Sequence, residues 1–178
     1  MPHKALFLDR DGIINIDHGY VYKIEDFEFT EGIFELLRIF IEEDYRLFIV
    51  TNQSGIGRNY YTQDDFSTLT KWMVEEFKKR EINIEVVEHC PHAPELNCAC
   101  RKPATGMIDN ILKKYEIDLE NSWMIGDKQS DIDLAKNTQI AHTVAVGERT
   151  ILNASYSFKT IVDFKLFIEK NREIIEGW

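Results

Sequence analysis

The sequence predicts an α/β protein of the doubly wound, Rossmann-like class, with a central parallel sheet flanked by helices. Short apolar runs, typical of strands buried on both faces, alternate with segments in which apolar residues recur at helical spacing. This alternation favours a parallel sheet, whose ligands bind at the carboxyl ends of its strands. The chain has 178 residues, an ordinary size for one domain, so we expect a single domain over 1–178.

Five apolar runs are interpreted as the strands of this sheet: 5–8, 47–50, 84–87, 123–125 and 143–146. Between them, apolar residues at helical spacing predict helices over 33–40, 66–77 and 107–115. Thr62 with Asp65, and Ser130 with Asp133, have the spacing of a helix N-cap and its returning acid. Asp163 is the candidate cap of a last helix over about 163–175.

Two long stretches, 12–30 and 90–105, interrupt the alternation of strand and helix. Loops of this length in a small domain usually serve a function. No inserted segment of about 50 to 100 residues is present to form a separate domain. We therefore expect no large cap domain over the strand ends, and an open site covered only by these loops.

Composition argues against several partners. The formal net charge of -10 would repel a nucleic acid backbone, and the chain lacks the run of about 18 apolar residues that a membrane span requires. All three cysteines lie between 90 and 100, so they cannot staple distant parts of the fold as in a secreted disulfide framework. We expect a cytoplasmic monomer with no nucleic acid and no membrane partner.

Asp9 and Asp11 follow the first predicted strand in the segment Asp9-Arg10-Asp11-Gly12. A carboxylate can attack phosphorus to form an aspartyl-phosphate when a cation reduces the repulsion between the two anions. We interpret Asp9 as the nucleophile and Asp11 as the general acid and base. Asp127, after the fourth strand, joins Asp9 and Asp11 as a candidate magnesium ligand. A lone Asp-x-Asp-Gly is more often a solvated turn, but other strand ends here carry matching chemistry.

Groups suited to a phosphoryl oxygen follow the other strands. Thr51 offers a hydroxyl, and Lys102 offers a fixed positive charge near the developing anion. Arg101 can bind a more distant anionic group through both guanidinium nitrogens. Asp131 is a candidate supporting residue that orients Lys102 or the waters of the metal, or stabilises a helix dipole. These residues predict phosphate-ester hydrolysis.

Cys90, His92, Cys98 and Cys100 make a complete tetrahedral zinc set on one loop. Four protein ligands leave no open position, so the predicted zinc is structural. Its role would be to order a loop that has no hydrophobic core, directly before the Arg-Lys pair. Free cysteines on a loop are the less favoured interpretation, and a disulfide within Cys98-Ala99-Cys100 would be badly strained.

The order of these motifs identifies the chain as a member of the haloacid dehalogenase superfamily of phosphatases. Within it, the chain resembles the heptose bisphosphate phosphatases over roughly residues 5 to 147. The resemblance is carried by Phe7-Leu8-Asp9-Arg10-Asp11-Gly12, Asp17-His18-Gly19-Tyr20-Val21, Thr51-Asn52-Gln53-Ser54-Gly55-Ile56, Cys90-Pro91-His92, Cys98-Ala99-Cys100-Arg101-Lys102-Pro103 and Gly126-Asp127-Lys128.

This resemblance implies a magnesium-dependent phosphatase that removes the C7 phosphate of a heptose 1,7-bisphosphate, in the synthesis of activated heptose for lipopolysaccharide cores. It implies Mg²⁺ as the catalytic cofactor, structural Zn²⁺ and a small phosphorylated sugar as partner. It also implies that the retained phosphate is recognised by Arg101. The implied substrate contacts are Asp17, His18, Gly19, Tyr20, Asn52, Gln53, Ser54, Arg101 and Lys128.

Alternatives stay open at this point. Only five residues separate His92 from Cys98, a short zinc loop that resembles the related histidinol-phosphate phosphatases, whereas Ser54 and Gly106-Met107 favour the heptose enzymes. A polynucleotide 3'-phosphatase has similar motifs, but it should carry a basic channel or a platform for base stacking. A zinc module without catalysis is the remaining alternative.

Overall fold

The computed structural model describes residues 1–176, so residues 177 and 178 of the predicted domain lie outside the described residues. Its strands are β1 (His3–Leu8), β2 (Arg46–Asn52), β3 (Ile84–Cys90), β4 (Ile117–Gly126), β5 (His142–Val146) and β6 (Tyr156–Phe158). They form one six-stranded sheet in the order β3-β2-β1-β4-β5-β6. Every pairing is parallel.

The helices are α1 (Ile33–Glu42), α2 (Ser54–Gly57), α3 (Gln63–Lys78), α4 (Gly106–Leu112), α5 (Gln129–Thr138) and α6 (Ile161–Lys170). Three short 3-10 turns lie at Ile24–Asp26, Pro94–Leu96 and Arg172–Ile174. Among the described residues, no helix is long and apolar enough to cross a membrane. No large cap covers the strand ends in this part of the chain, as the sequence predicted.

The two faces of the sheet carry separate apolar layers, and β1 shows how the sequence divides them. Leu6 and Leu8 pack into a layer shared with α1, α3 and α6. Ala5 and Phe7, which alternate with them, pack into the layer shared with α4 and α5. Because all four side chains are fully buried, they anchor the central strand from both sides. The predicted fold class is confirmed.

Some local expectations were wrong. The last strand, β6, was not predicted because it is only three residues long and none of them is fully buried. Thr62 caps α3 as predicted, in a reciprocal pair with Asp65. Ser130, however, caps nothing, because α5 begins one residue earlier. Asp163 is not the cap of α6 either, since the Thr160 hydroxyl accepts the Asp163 N–H at 3.1 Å.

The strand order reverses at the centre of the sheet. From β1 the chain builds outward through β2 and β3, then returns to β4 on the other side of β1. The crevice at such a reversal is where open α/β sheets bind ligands. Asp9 follows β1 and Asp127 follows β4, so both predicted carboxylates stand at this crevice.

Candidate active site

Lys102 lies at the centre of a buried polar cluster. Its ammonium Nζ is 2.8 Å from Asp9 Oδ1, 2.7 Å from Asp131 Oδ1 and 2.8 Å from the Val50 carbonyl oxygen. Lys102 thus donates hydrogen bonds to Asp9 and to the Val50 carbonyl, and it forms an ion pair with Asp131. The Lys102 side chain is 2 % exposed and that of Asp131 is 1 % exposed. The charge of Lys102 is therefore fixed beside the proposed nucleophile.

This arrangement sets the ionisation of the cluster. Burial opposes the charge on Asp9, but the charge and hydrogen bond of Lys102 hold the pKa of Asp9 below its usual range. Burial likewise opposes the charge on Lys102, and the two carboxylates overcome it to raise the pKa of the lysine. Asp9 is thus an anion in the resting site, which is the form that a nucleophile requires.

The pKa of Asp127 shifts in the opposite direction from that of Asp9. Burial and repulsion from Asp9 raise the pKa of Asp127 to about 8. Two carboxylates that face each other in a buried site do not both ionise without a cation. The Asp127 Oδ1 atom is buried and has no hydrogen-bond partner. These features fit a divalent cation that takes oxygen ligands from Asp9 and Asp127.

Asp9, Asp127 and Asp131 place one carboxylate oxygen each within 4.8 Å of the others. Asp131 is engaged by the backbone, because its Oδ2 accepts hydrogen bonds from the N–H groups of Asp127 and Lys128, both at 3.1 Å. Asp131 therefore combines two of the roles that the sequence left open: it pairs with Lys102, and it accepts the backbone N–H groups that precede α5. The Asp11 carboxylate, named from sequence as a third magnesium ligand, is not part of this group.

Asp11 is instead held at the wall of the site by neutral and cationic donors. Its Oδ1 accepts from Arg10 Nη2 at 2.9 Å and Asn15 Nδ2 at 3.0 Å, and its Oδ2 accepts from Gln53 Nε2 at 3.1 Å. The Asp11 side chain is 20 % exposed, whereas that of Asp9 is 7 % exposed. Neighbouring acids thus occupy different environments, as an acid/base residue and a nucleophile require.

Gln53 connects Asp11 to the end of β2. The same Gln53 amide that donates to Asp11 also donates to Thr51 Oγ1 at 2.8 Å, and Gln53 Oε1 accepts from the Tyr61 hydroxyl at 2.5 Å. Because Thr51 accepts from Gln53, its own hydroxyl proton is free to point at a phosphoryl oxygen. Gln53 is thus a support for two catalytic candidates as well as part of the pocket wall.

The four candidate zinc ligands converge as the sequence predicted. Cys90 Sγ lies 3.4 Å from Cys98 Sγ and 3.5 Å from His92 Nδ1, and Cys100 Sγ lies 3.2 Å from the same nitrogen. All three cysteines are free. Although burial opposes it, hydrogen bonds from Cys90 and from backbone groups lower the pKa of Cys98 to about 6. The cluster is therefore suited to a tetrahedral zinc ion.

The cysteine–histidine loop is tied directly to the catalytic strand. Asn52, named from sequence as a substrate contact, has its side chain on the Lys102 backbone: Lys102 N donates to Asn52 Oδ1 at 3.0 Å, and Asn52 Nδ2 donates to the Lys102 carbonyl at 3.4 Å. Gly57 N donates to the Pro91 carbonyl at 2.8 Å. A side chain at Gly57 would lie 2.7 Å from that oxygen, so only glycine allows this close approach.

A cavity of about 320 Å³ opens beside Asp11. Of the predicted substrate contacts, Asp17, Gly19, Tyr20, Asn52, Gln53, Ser54, Arg101 and Lys128 line it. His18 does not: it lines a neighbouring cavity and pairs with Glu28 at 3.2 Å. Arg58 and Tyr61, which were not predicted, complete the lining.

Curated relatives match most of this chain. D-glycero-alpha-D-manno-heptose-1,7-bisphosphate 7-phosphatase of Campylobacter jejuni is 51% identical over 83% of the chain and 85% of the relative. D-glycero-beta-D-manno-heptose-1,7-bisphosphate 7-phosphatase of Helicobacter pylori is 48% identical over 94% of the chain and 96% of the relative. The chain belongs to the heptose-1,7-bisphosphate 7-phosphatase family. The family prediction is confirmed, and with it the class of phosphoric monoester hydrolase.

Two further comparisons concern the broader hydrolase family and the fold. Residues 99–150 match the HAD-hydrolase-like family model. The fold is similar to that of the D,D-heptose 1,7-bisphosphate phosphatase from B. bronchiseptica, solved with magnesium and phosphate: the TM-score is 0.81 at 22% identity, over 94% of this chain and 99% of that one. At this identity the likeness concerns the fold alone.

In this heptose bisphosphate phosphatase family member, sequence reasoning missed two arginines at the catalytic carboxylates. Arg10 is 1% exposed and bridges Asp11 to the Val21 carbonyl, at 2.7 Å from the latter. Arg149 Nη1 lies 2.8 Å from Asp127 Oδ2. Arg10 lies between Asp9 and Asp11 in the sequence, so this position could have indicated a role at the site. Arg149 follows β5 in an exposed turn with no pattern that marks it.

Proposed function

We propose that this protein removes the C7 phosphate of D-glycero-D-manno-heptose 1,7-bisphosphate through an aspartyl-phosphate at Asp9. The observation that carries the proposal is the pairing of two unlike acids at the end of β1. Asp9 is buried against Lys102 and kept anionic. Asp11 stands at the wall of a cavity that also presents Arg101 and Lys128.

In the first step, an Asp9 carboxylate oxygen attacks the C7 phosphorus and the bond from phosphorus to the C7 oxygen breaks. Protonated Asp11 gives its proton to that leaving oxygen, so the sugar departs as an alcohol. The Thr51 hydroxyl and the Lys102 ammonium stabilise the charge on the phosphoryl oxygens. The products are the heptose 1-phosphate and phosphorylated Asp9.

In the second step, water attacks the phosphorus of the Asp9 phosphate and the bond to Asp9 breaks. Asp11, now ionised, accepts the proton of the water and so returns to its starting form. The donors that hold Asp11, namely Arg10, Asn15 and Gln53, keep its carboxylate in place for both transfers. Inorganic phosphate leaves, and Asp9 is restored.

We also propose that Asp9 and Asp127 hold Mg²⁺. When bound, this ion supplies positive charge that reduces repulsion between the Asp9 carboxylate and the phosphate. The unpartnered Asp127 oxygen and the raised pKa of that acid support the assignment. Since Asp11 faces its own donors, we assign its side chain to proton transfer alone.

We further propose structural Zn²⁺ at the cysteine–histidine cluster, a monomeric state and a cytoplasmic location. Three free thiols at one site persist best in a reducing compartment. The product would enter the synthesis of activated heptose for lipopolysaccharide cores. Elemental analysis should give one zinc per chain, and light scattering should give the mass of a monomer.

The nucleophile is tested with Asp9→Asn. This variant should release no phosphate from the bisphosphate while it retains zinc and a native melting curve. Asp64→Asn, at an exposed acid on α3 outside the cavity, is the matched control and should release phosphate at the wild-type rate. Full activity in Asp9→Asn would overturn the mechanism.

Substrate choice is tested with purified enzyme. The wild type should have a higher kcat/KM for heptose 1,7-bisphosphate than for histidinol phosphate; equal or reversed values would refute the heptose assignment. The relatives are named for different anomers, alpha in C. jejuni and beta in H. pylori. Both anomers should therefore be assayed side by side.

A further inference from the structure

Arg58 lines the substrate cavity, and neither the motifs nor the catalytic cluster accounts for it. It is the residue directly after α2, where its backbone N–H donates to the Ser54 carbonyl at 2.9 Å. The cavity wall thus carries three cationic side chains, Arg58, Arg101 and Lys128, and two acids, Asp11 and Asp17. The cations outnumber the acids although the chain as a whole has a net charge of -10.

The Arg58 guanidinium has little to hold it in the resting protein. Its acidic neighbour is Glu95, at 3.9 Å, and the two side chains are 34 % and 73 % exposed. An exposed pair at this distance contributes little to stability. By contrast, Arg10 is held by contacts of 2.9 Å and 2.7 Å at the same site. The Arg58 guanidinium is therefore available to a ligand.

A bisphosphorylated sugar gives that guanidinium an anion to bind. The scissile phosphate takes Asp9, Thr51 and Lys102, which are buried at the bottom of the site. The second phosphate remains in the cavity, where the two acids would repel it. Arg101 supplies one compensating charge, and its Nη1 is buried without a partner. A guanidinium binds phosphate through two parallel hydrogen bonds.

We infer that Arg58 is a specificity-determining residue that binds, together with Arg101, the phosphate which the substrate retains. This inference rests on the proposed function and extends it, because it assigns the discrimination between bisphosphate and monophosphate substrates to a named side chain. In the resting protein Glu95, on the cysteine–histidine loop, holds Arg58 only loosely. The retained phosphate replaces Glu95 as its partner.

The test compares two substrates that differ only in the retained phosphate, heptose 1,7-bisphosphate and heptose 7-phosphate. Arg58→Ala should lower kcat/KM for the bisphosphate about 10- to 100-fold, the range for loss of charge-assisted hydrogen bonds, and leave kcat/KM for the monophosphate within about twofold. Arg58→Lys should fall between Arg58→Ala and wild type for the bisphosphate. Arg38→Ala, an exposed arginine on α1 outside the cavity, is the control and should match wild type.

An equal loss on both substrates, or no loss on either, would overturn the inference. Melting temperature and zinc content, measured for each variant, distinguish a damaged fold from a lost contact. If Arg58→Ala is unstable, the same kcat/KM comparison is made with Arg58→Lys. Failure of the proposed function has its own signature: wild-type enzyme would then show no preference for the bisphosphate over the monophosphate. That result would remove the basis of the inference before any variant is compared.

Discussion

Replacing Asp131 with asparagine tests the claim that a buried acid positions the catalytic lysine. Both Asp131 oxygens face donors: Oδ1 forms an ion pair with Lys102 Nζ at 2.7 Å, and Oδ2 accepts hydrogen bonds from two backbone N–H groups, both at 3.1 Å. An asparagine has one acceptor and one donor. In either orientation of its amide, the –NH₂ group must therefore face a donor in a fully buried site.

The magnitude follows from this mismatch. Disrupting one partner of a buried ion pair lowers the free energy of unfolding by about 3 to 5 kcal/mol. Lys102 would also move toward its remaining carboxylate, and a shift of about 1 Å at a reacting group reduces the rate about 100-fold. We therefore expect Asp131→Asn to reduce kcat about 100-fold. We also expect it to lower the free energy of unfolding.

The assay is phosphate release at saturating substrate, together with urea unfolding followed by circular dichroism. Asp133→Asn is the control, since Asp133 lies on the same helix and accepts a single hydrogen bond, from Gln129 at 3.0 Å, which an asparagine oxygen can also accept. If Asp131→Asn matched Asp133→Asn in both kcat and unfolding free energy, the ion pair would have no positioning role.

The remaining predictions concern the catalytic turn, the zinc loop and pH. Gly12→Ala should abolish most activity and lower the melting temperature, because Gly12 has a φ of 90° and an added Cβ would collide with the Asp127 carboxylate. His92→Ala should lose the bound zinc and most of kcat, as measured by elemental analysis and phosphate release. Burial raises the pKa of Tyr61 to about 12, so stability should fall between pH 10 and 12, as the unfolded tyrosine ionises first; Tyr61→Phe should flatten that slope in unfolding experiments.

Each of these predictions has a matched comparison. Gly19→Ala shares the positive φ, at 79°, but its Cβ would meet no atom within 4 Å, so a melting temperature as low as that of Gly12→Ala would refute the collision. His89→Ala removes an imidazole outside the cluster and should keep its zinc. An unchanged slope above pH 10 in Tyr61→Phe would mean that Tyr61 ionises in the native protein as readily as in the unfolded chain.

Parallel strand ends were the part of the site that the sequence could predict. Asp9, Thr51 and Asp127 each follow a buried apolar run, and the ends of neighbouring parallel strands meet at one edge of a sheet. The local sequence pattern was therefore enough to predict that these three residues lie close together. The zinc ligands were equally visible in the sequence, since all four lie between residues 90 and 100.

Roles that depend on distant partners could not be predicted. Asn52 was predicted to contact substrate, and it lines the cavity; the sequence did not reveal that its amide also holds the backbone of Lys102, fifty residues away in the chain. Ser130 had the spacing of a cap, yet Asp131 takes the backbone N–H groups before α5 because its carboxylate is a stronger acceptor. Arg149 reaches Asp127 from a turn whose position only the sheet order determines.

Lys102 also has a consequence for how activity arises during folding. The acceptors around its ammonium come from the end of β1, the interior of β2 and the first turn of α5. No two adjoining segments of the chain can assemble this set, so a partly folded chain does not hold Asp9 against its lysine counterion. Catalysis on refolding should therefore return in one step, only after the sheet has closed around β1 and the cysteine–histidine loop has docked.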